Sequence, residues 1–258
     1  MQFIDSHTHL YLEAFDNDRD AVIERAIQEG VNKMILPNID SKTIEPMMEL
    51  ASRFPGHCFP AIGLHPTSVD QDFSQELDVI GNSLKDNRYI AIGETGIDLY
   101  WDKSHLEEQK QSLLAQIKWA KDTQLPIIIH SRSSFEETYQ LIASQKDESL
   151  QGVFHSFSGS LNQARKIIEM GFKLGIGGVL TYKKSALPEV LKDVSLDHII
   201  LETDSPFLAP VPKRGKRNES SFLPHTAEKI AAIKGVDMHT VADATSQNAK
   251  ALFKLNSD

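Results

Sequence analysis

The first residues able to do chemistry are two histidines directly after an apolar stretch near the start of the chain. His7 and His9 follow Phe3 and Ile4 and are separated from each other by one residue. Because side chains alternate across a strand, residues two apart point to the same side, so both imidazoles can bind one metal ion. Alone, the pair is a modest indication, because a single histidine beside an apolar run is more often structural.

Four more residues able to bind a metal stand where short apolar runs end. Each run has the length and the β-branched composition of a strand, and the four residues are Glu94, His130, His155 and Asp204. Ligands at the same end of many strands converge only if the strands are parallel and closed around one axis. Because barrel enzymes carry their catalytic residues at the C-terminal ends of the strands, the sequence predicts a metal-dependent hydrolase on an α/β fold, the TIM (β/α)8 barrel.

The ligand types bear on the identity and number of the metals. Imidazoles and carboxylates without a thiolate suit Zn or Mn, and Mg stays possible because a phosphate substrate would supply further oxygens. Six ligands are too many for one tetrahedral ion with an open position, but they suit two divalent ions ~3.5–4 Å apart. Glu94 follows the fourth strand, between the pair on the first and the histidines on the fifth and sixth. We therefore expect it to bridge the two ions.

Two further carboxylates precede predicted ligands by two residues. Asp5 precedes His7, and Glu202 precedes Asp204. The same alternation would place both carboxylates one layer deeper on the interior face, where such groups usually orient a ligating imidazole. Satisfaction by backbone donors is an equally open alternative for either of them.

The elements that must position these residues alternate along the chain. Predicted strands lie near 2–6, 32–36, 58–64, 89–94, 126–130, 152–156, 172–177 and 198–203. Amphipathic segments of helix length include 20–27 before Gly30, 104–121 with capping-box spacing from Ser104 to Glu107, 164–170 before Gly171, and 239–253. This alternation predicts parallel βα units, and because no linker interrupts it, residues 1–258 are predicted to form one domain.

Length and composition agree with a barrel. The chain has 258 residues, and a (β/α)8 barrel needs about 250. The single cysteine, Cys58, excludes an internal disulfide and favours a buried structural thiol in a reducing compartment. A core strand begins within the first residues and no apolar run approaches the ~18 residues of a membrane span, so we expect a cytoplasmic protein that does not associate with membranes. No obligate protein partner is evident.

The charge distribution bears on the substrate. The formal net charge of −9 argues against a broad basic surface of the kind that extended duplex binders use. An anionic substrate is still compatible with this charge, because two divalent ions would add positive charge locally. One basic cluster follows Asp204 closely and consists of Lys213, Arg214, Lys216 and Arg217. Most charge runs are solvated loops, but the position of this one makes its cations candidates for phosphate contacts.

Several blocks of the sequence resemble the signature blocks of the TatD family. They are Ile4-Asp5-Ser6-His7-Thr8-His9, Ala61-Ile62-Gly63-Leu64-His65-Pro66, Ile92-Gly93-Glu94-Thr95-Gly96-Ile97-Asp98 and Leu201-Glu202-Thr203-Asp204-Ser205-Pro206. Ile129-His130-Ser131-Arg132 and His155-Ser156-Phe157-Ser158-Gly159 resemble the family's two remaining histidine blocks. The similarity spans essentially the whole chain in the family's order. TatD proteins are TIM-barrel, divalent-metal hydrolases of the amidohydrolase superfamily, and characterised members are deoxyribonucleases.

The resemblance implies a division of the ligands between two ions. One ion would be bound by His7, His9, Glu94 and Asp204, and the other by Glu94, His130 and His155. His65 would stand near the scissile phosphate. The chain departs from the family's pattern at Ser220, where a proline is expected. This departure concerns substrate contacts rather than the metals.

The predicted function is hydrolysis of phosphodiester bonds, with DNA as the foremost substrate. Two ions would bind the phosphate and activate a water, which Asp204 would orient or deprotonate. His65 would donate a hydrogen bond to the phosphate or protonate the leaving oxygen. Arg132 and the basic cluster would bind flanking phosphates. Tyr100 and Trp101 would stack a base, and a packing lid is the alternative for these two aromatic residues.

Two other functions stay open on sequence grounds. An amidohydrolase that cleaves a small cyclic amide or ester would use the same scaffold. Such enzymes often bridge their metals with a carboxylated lysine at the fourth strand, where this chain has Glu94. A non-catalytic barrel with structural metals would leave the open coordination positions of a six-ligand, two-ion site without a use. Glu94 and the basic cluster together favour a phosphodiester substrate.

Overall fold

Strands and helices alternate through the computed structural model, which describes residues 1–86 and 88–255. Within those residues the strands are β1 (Phe3–Asp5), β2 (Val31–Pro37), β3 (Cys58–Ala61), β4 (Ile92–Asp98), β5 (Ile127–Arg132), β6 (Gly152–Phe154), β7 (Lys173–Ile176) and β8 (Ile199–Leu201). The α-helices are α1 (Arg19–Gln28), α2 (Ile44–Arg53), α3 (Phe73–Leu84), α4 (Leu106–Thr123), α5 (Phe135–Gln145), α6 (Leu161–Glu169), α7 (Leu187–Lys192), α8 (Leu223–Lys234) and α9 (Met238–Phe253). In this part of the chain, no helix combines the length and the apolarity needed to cross a bilayer.

Hydrogen bonds between parallel neighbours close the strands into a barrel. Pairing follows chain order from β1 to β3 and from β4 to β8. A bridge between Ile62 and Ile92 joins the β3 and β4 segments. On the other side, the Ser6 amide donates to the Leu201 carbonyl at 2.9 Å, and this bond joins β1 to β8. The predicted TIM barrel is therefore confirmed.

Apolar side chains pack in two layers on opposite sides of the strands. The outer layer joins strand residues such as Phe3 and Met34 to helix residues such as Ile23. The inner cluster takes one side chain from most strands, and the end of α9 packs against it; its members are Ile4, Ile35, Ala61, Ala91, Ile128, Val153, Ile200, Ala249, Leu252, Phe253 and Leu255. Burying each large apolar side chain stabilises the fold by about 1.5–3 kcal/mol. This inner cluster forms the floor on which the candidate site rests.

Along β5 and just beyond β6, alternate side chains on the interior face lead from the inner apolar cluster to the candidate site. His130 lies two residues beyond Ile128, and His155 lies two residues beyond Val153, so each histidine stays on the interior side. The α9 helix is at the opposite end of the barrel, since Ser246 bonds the carbonyl of Gln2 and Asn248 bonds the carbonyl of Ile199, both at strand beginnings. The histidines therefore lie at the C-terminal end of the barrel, where catalytic residues were expected.

The fourth strand departs most from the predicted elements. The sequence predicted a strand over 89–94 with Glu94 at its end, whereas β4 begins at Ile92 and continues to Asp98. Gly96 makes this possible, because it has φ +150° and a Cβ there would lie 1.9 Å from the carbonyl oxygen of His130. Glycines usually weaken strands, so the sequence pattern suggested that the strand ends before Gly96. In the structure, the close approach of β4 to β5 requires a glycine at this position.

Helix positions agree with the sequence except for one cap. The helices α1, α4, α6 and α9 cover the predicted segments. The predicted capping box of Ser104 and Glu107 is wrong, because α4 begins only at Leu106. Ser104 instead bonds Asp102 Oδ1 through its amide at 2.8 Å and its hydroxyl at 2.7 Å. This local turn competes with the helix for the same donors.

Cys58, the one cysteine of the sequence, is the first residue of β3 and is buried, as expected. Burial in apolar surroundings raises the pKa of its thiol to about 12. The reactive thiolate is therefore scarce at neutral pH, and the residue acts as a small apolar side chain.

Candidate metal centre

The structure brings all six predicted ligands together at the C-terminal ends of the strands. His7 and His9 follow β1, Glu94 lies in β4, His130 lies in β5, His155 follows β6 and Asp204 follows β8. His65, which follows β3, reaches the same centre. Three groups of side chains each have their ligand atoms within 4.8 Å of one another: His7, His155 and Asp204; His7, His9 and Glu94; and His65, Glu94 and His130.

Glu94 lies between two sets of imidazoles and turns one carboxylate oxygen toward each. Its Oε2 is 3.0 Å from His7 Nε2 and 3.7 Å from His9 Nε2. Its Oε1 is 2.7 Å from His130 Nδ1 and 3.1 Å from His155 Nε2. A carboxylate placed in this way can contribute one oxygen to each of two neighbouring cations.

Asp204 belongs to the side of the centre that Glu94 Oε2 faces. Its Oδ1 is 3.8 Å from His7 Nε2 and 3.7 Å from His9 Nε2. The Asp204 side chain is 15 % exposed, compared with 2 % for Glu94. Of these two carboxylates, Asp204 is therefore the one that a water molecule can readily reach.

A tyrosine that the sequence analysis missed sets the orientation of His9. The Tyr11 hydroxyl donates to the carbonyl of Pro37 and lies 2.8 Å from His9 Nδ1. Because its proton is directed to Pro37, the hydroxyl oxygen accepts from Nδ1–H, which leaves Nε2 unprotonated toward Glu94. Tyr11 stands two residues after His9, and continuing the alternation by one step would have pointed to it.

Two carboxylates hold the far sides of His130 and His155. Asp98 Oδ2 is 2.9 Å from His130 Nε2, and Glu202 Oε1 is 3.2 Å from His155 Nδ1. Glu202 is therefore close enough to His155 for an ion pair, while its Oε1 accepts from the amide of Ser156 at 2.6 Å, and its role in orienting the imidazole stays a prediction. Gly175 leaves space for it, since a Cβ at that position would lie 2.2 Å from Glu202 Oε2. The sequence analysis missed Asp98, whose position at the end of the Glu94 strand was the available signal.

For Asp5 the structure corresponds to the alternative of backbone satisfaction. Its carboxylate accepts from the amide of His7 at 3.3 Å, and from the amide and hydroxyl of Thr203 at 2.9 and 2.6 Å. Among the described residues, the hydrogen-bond partners of Asp5 are backbone and hydroxyl donors rather than an imidazole nitrogen, so its contacts match the second of the two alternatives. Burial raises the pKa of Asp5 to about 7, although the hydrogen bonds from Thr203 act in the opposite direction.

His65 differs from the other imidazoles in its protonated atom. Its Nδ1 accepts from the amide of Thr67 at 3.1 Å, so the proton of the neutral ring lies on Nε2. That Nε2–H is 3.3 Å from Glu94 Oε1. His65 therefore presents a hydrogen-bond donor to the centre, whereas His9 presents an acceptor.

The charges of the centre are strongly coupled. Burial alone would raise the pKa of Glu94, but the imidazoles of His155, His65 and His7 hold it well below its usual range. Burial opposes protonation of His155 as well, yet the carboxylates of Glu94 and Glu202 raise its pKa well above the usual value. Burial and the charge of Glu94 raise the pKa of Asp204 to about 7, against an opposing effect of His155.

These side chains fit divalent cations. His130 lies between Asp98 and Glu94, and His155 lies between Glu202 and Glu94, so the space between each ring and Glu94 must hold a proton or a cation. Within the described residues, the buried Nδ1 of His7 has no hydrogen-bond partner. Imidazole and carboxylate donors in this number suit transition-metal ions, and also Mg²⁺ when a substrate adds oxygens.

The predicted substrate-binding residues lie on the loops that surround the centre. Tyr100 and Trp101 follow β4 and are exposed, and Arg132, the last residue of β5, packs against them. In the basic cluster, the Arg214 guanidinium lies 4.3 Å from the centre of the Tyr182 ring. Burial raises the pKa of Tyr182, the charge of Arg214 lowers it and the charge of Asp204 raises it further, so Tyr182 lies within electrostatic range of both groups.

Arg217 is the member of the basic cluster that turns into the protein. Its guanidinium donates to both carboxylate oxygens of Asp18 at 2.8 Å and stacks over the ring of Phe15 at 4.4 Å. Close by, Arg25 pairs with Glu219 at 2.7 Å. These contacts join the loop after β8 to the start of α1. Arg217 is therefore engaged within the protein, and phosphate contacts stay a prediction for Lys213, Arg214 and Lys216.

Comparison with known proteins gives concordant matches over almost the whole chain. The family model described as "TatD related DNase" matches residues 4–254. The "Uncharacterized metal-dependent hydrolase YabD" of Bacillus subtilis is 39% identical, and the match covers 98% of this chain and 99% of that protein. The "3'-5' ssDNA/RNA exonuclease TatD" of Salmonella typhimurium is 32% identical, with 97% and 98% covered. The crystal structure of YjjV, a TatD homolog from Escherichia coli, superimposes with a TM-score of 0.93 at 30% identity and covers 98% of both chains.

Proposed function

Because the chain belongs to the family of TatD-related DNases and is a metal-dependent hydrolase, we propose that it hydrolyses phosphodiester bonds in DNA with two divalent ions. The observation that carries this proposal is the position of Glu94, whose two oxygens face different sets of imidazoles. The exonuclease activity in the printed name of the Salmonella relative supports a nucleic-acid substrate.

The proposed ligands follow the two sides of Glu94. One ion would be bound by His7, His9, Asp204 and Glu94 Oε2. The other would be bound by His130, His155 and Glu94 Oε1. When bound, the ions, whether Zn, Mn or Mg, would act as Lewis acids toward a phosphate oxygen and an attacking water.

The remaining chemistry belongs to side chains that solvent can reach. Asp204 orients the attacking water and accepts its proton, because it is the carboxylate of the centre that is partly exposed. His65 donates its Nε2–H to a phosphate oxygen or to the leaving oxygen. Flanking phosphates are contacted by Lys213, Arg214 and Lys216. Because such contacts act over a short range, a local group of cations can bind phosphates although the net charge of the chain is −9.

An isosteric substitution tests the role of Asp204. Asp204→Asn keeps the shape of the side chain but removes its charge and basicity, so we expect turnover of DNA to fall by roughly 10² or more. The measurement is kcat at full metal occupancy, checked by metal analysis of the same sample. Asp243→Asn, on the exposed side of α9, is the matched control and should keep normal turnover. Near-normal turnover of a fully metallated Asp204→Asn enzyme would contradict the proposal.

A panel of substrates tests the bond that is cleaved. The metal-reconstituted protein should cleave single-stranded DNA and a small phosphodiester, and RNA tests whether the sugar is discriminated. A cyclic amide or ester should be left intact. Hydrolysis of the amide or ester without any cleavage of phosphodiesters would replace the proposal with the amidohydrolase alternative.

A further inference from the structure

Two adjacent aromatic rings stand exposed beside the candidate metal centre without taking part in it. Tyr100 is 57 % exposed and Trp101 is 69 % exposed, and both directly follow the turn that ends β4. Rings of this size usually bury most of their surface, and adjacent exposed rings beside a cleft are typical of a binding surface. Packing within the protein, the lid alternative, would have covered them.

The two rings are held in place although they face solvent. Asp98 Oδ1 accepts from the amides of Tyr100 at 2.9 Å and Trp101 at 3.2 Å. The rings are nearly perpendicular, at 88°, with centres 5.1 Å apart. The guanidinium of Arg132 lies 4.0 Å from the centre of the Tyr100 ring and 5.3 Å from that of Trp101. A surface ordered before binding loses little conformational entropy when a ligand arrives.

The same carboxylate connects these rings to the metal centre. The second oxygen of Asp98, Oδ2, is 2.9 Å from His130 Nε2, and His130 Nδ1 is 2.7 Å from Glu94 Oε1. The rings are thus fixed to the side of the centre that Glu94 Oε1 faces. A ligand bound on the rings of Tyr100 and Trp101 would therefore lie next to the phosphate that reacts at the metal centre.

We propose that Tyr100, Trp101 and Arg132 form a subsite that binds one unpaired nucleobase next to the scissile phosphate. The proposal rests on the proposed function and adds to it the group that is recognised beside the phosphate. Among the described residues, Arg132 makes no ion pair with a carboxylate, so its charge is free for a phosphate oxygen or a base carbonyl. A base in a duplex has both faces covered by its neighbours, whereas an unpaired base offers a face to Trp101.

Strands that lack single bases test this subsite without requiring turnover. A set of single-stranded 12-mers, each with one abasic position, keeps the phosphates but removes the stacking partner at one place. With metal-loaded Asp204→Asn enzyme, in which cleavage is expected to be slow, one abasic position near the bound end should raise Kd by about 5- to 100-fold. In Trp101→Ala the intact strand should bind weaker by the same factor, and that abasic position should have no further effect.

Tryptophan fluorescence gives a second measurement with a matched control. The chain has two tryptophans, and Trp119 lies on α4. An oligonucleotide that stacks on Trp101 should quench the fluorescence of Trp119→Phe, in which Trp101 is retained. The quenching should disappear in Trp101→Phe. Trp119→Phe should also keep the Kd of the unmodified protein.

The outcomes separate the subsite from the proposed function. If Trp101→Ala binds the intact strand normally, or loses the same affinity for every strand in the abasic set, the subsite is wrong. If base-dependent binding is found but the metal-loaded enzyme cleaves no nucleic acid, the proposed function fails and the base-binding subsite stands. Thermal unfolding of Trp101→Ala should match that of the unmodified protein, because the ring is mostly exposed.

Discussion

The role of each imidazole is decided by the group on its far side. Tyr11 takes the Nδ1–H of His9 and leaves Nε2 as an acceptor, whereas Thr67 donates to Nδ1 of His65 and leaves Nε2 as a donor. Both rings reach Glu94 through the same kind of atom. In the proposed function, the partner behind each ring is what distinguishes His9 as a metal ligand from His65 as a hydrogen-bond donor to the substrate.

Under the proposed two-ion centre, two conservative substitutions should affect the two ions separately. Tyr11→Phe removes the acceptor behind His9 and should weaken the ion on the Glu94 Oε2 side by about 10-fold or more, the usual effect of such partners. Glu202→Gln removes the charge behind His155 and should weaken the ion on the Oε1 side by a similar factor. Two-site calorimetric titration with Mn²⁺ or Zn²⁺ measures both affinities. Tyr139→Phe, on α5, is the control for the loss of a phenol hydroxyl. Equal weakening of both ions by either substitution would count against this assignment.

At the scale of the elements, the proposed metal ligands lie in or just after the strands, whereas most of the proposed substrate contacts lie on the loops that follow them. The loop after β8 divides these tasks within a few residues. Arg214 stacks on Tyr182, while Arg217 pairs with Asp18 at the start of α1. Cations of one sequence cluster thus have different surroundings because different elements pack against them.

Neutralising the outward cations should weaken the binding of DNA in a salt-dependent way. The triple variant Lys213→Gln, Arg214→Gln and Lys216→Gln should raise KM for single-stranded DNA and flatten the slope of log KM against log salt by about 2, since each phosphate contact contributes about 0.7. A small phosphodiester should show a smaller loss. The control carries the same charge change on outer helices, as Lys118→Gln, Lys192→Gln and Lys229→Gln. An unchanged salt slope in the loop variant would remove the loop as a phosphate-binding element.

Arg217→Gln should instead lower stability in a pH-dependent way. The Arg217 hydrogen bond holds the pKa of Asp18 below its ordinary value of 3.8. A carboxyl group with a lowered pKa stabilises the folded state above its unfolded pKa and loses this effect as the pH falls through its folded pKa. At pH 7 we expect a loss of up to about 1 kcal/mol in the free energy of unfolding, as for partly exposed ion pairs. Urea unfolding from pH 7 to pH 3 should show the difference between the proteins shrinking below pH 3.8; a constant difference would contradict the ion-pair explanation.

The sequence predicted elements and ligands better than it predicted contacts across the chain. Eight apolar runs and the position of each ligand after a run were enough for the barrel, because alternation and strand order are local properties. The end of β4 was misjudged because Gly96 serves a close approach to His130, which lies on another strand. The pairing of Arg217 with Asp18 was likewise not predictable, because the two residues are 199 positions apart in the sequence.

At the scale of the whole molecule, four carboxylates meet at one end of the barrel. Each of these carboxylates has an oxygen within 3.7 Å of an imidazole nitrogen of the centre; they belong to Glu94, Asp98, Glu202 and Asp204. The formal net charge of the chain is −9. The opposite end is closed by apolar side chains of α9. Bound cations would therefore relieve repulsion where the barrel cannot do so by packing.

Metal binding should accordingly stabilise the entire fold. At a metal concentration of 100 times Kd, one site adds about 2.7 kcal/mol, and each kcal/mol raises Tm by about 2–4 °C for a chain of this size. We expect about two ions per chain by metal analysis and a fall in Tm of at least about 5 °C after chelation. Glu94→Ala should weaken both ions and lose most of this increment, while Glu228→Ala on α8 should keep it. Loss of only one ion in Glu94→Ala would show that Glu94 does not bridge.

The burial of Cys58 bears on how the metal-binding capacity of the protein responds to oxidants. Thiolate metal sites fail when peroxide or disulfides oxidise their sulfur ligands, and the metal is then released. Here the proposed ligands offer only nitrogen and oxygen, and the one thiol of the chain is buried in β3 with its pKa raised to about 12. The protein should therefore keep its metal-binding capacity at peroxide doses that empty cysteine-based zinc sites, which metal analysis before and after peroxide treatment would measure.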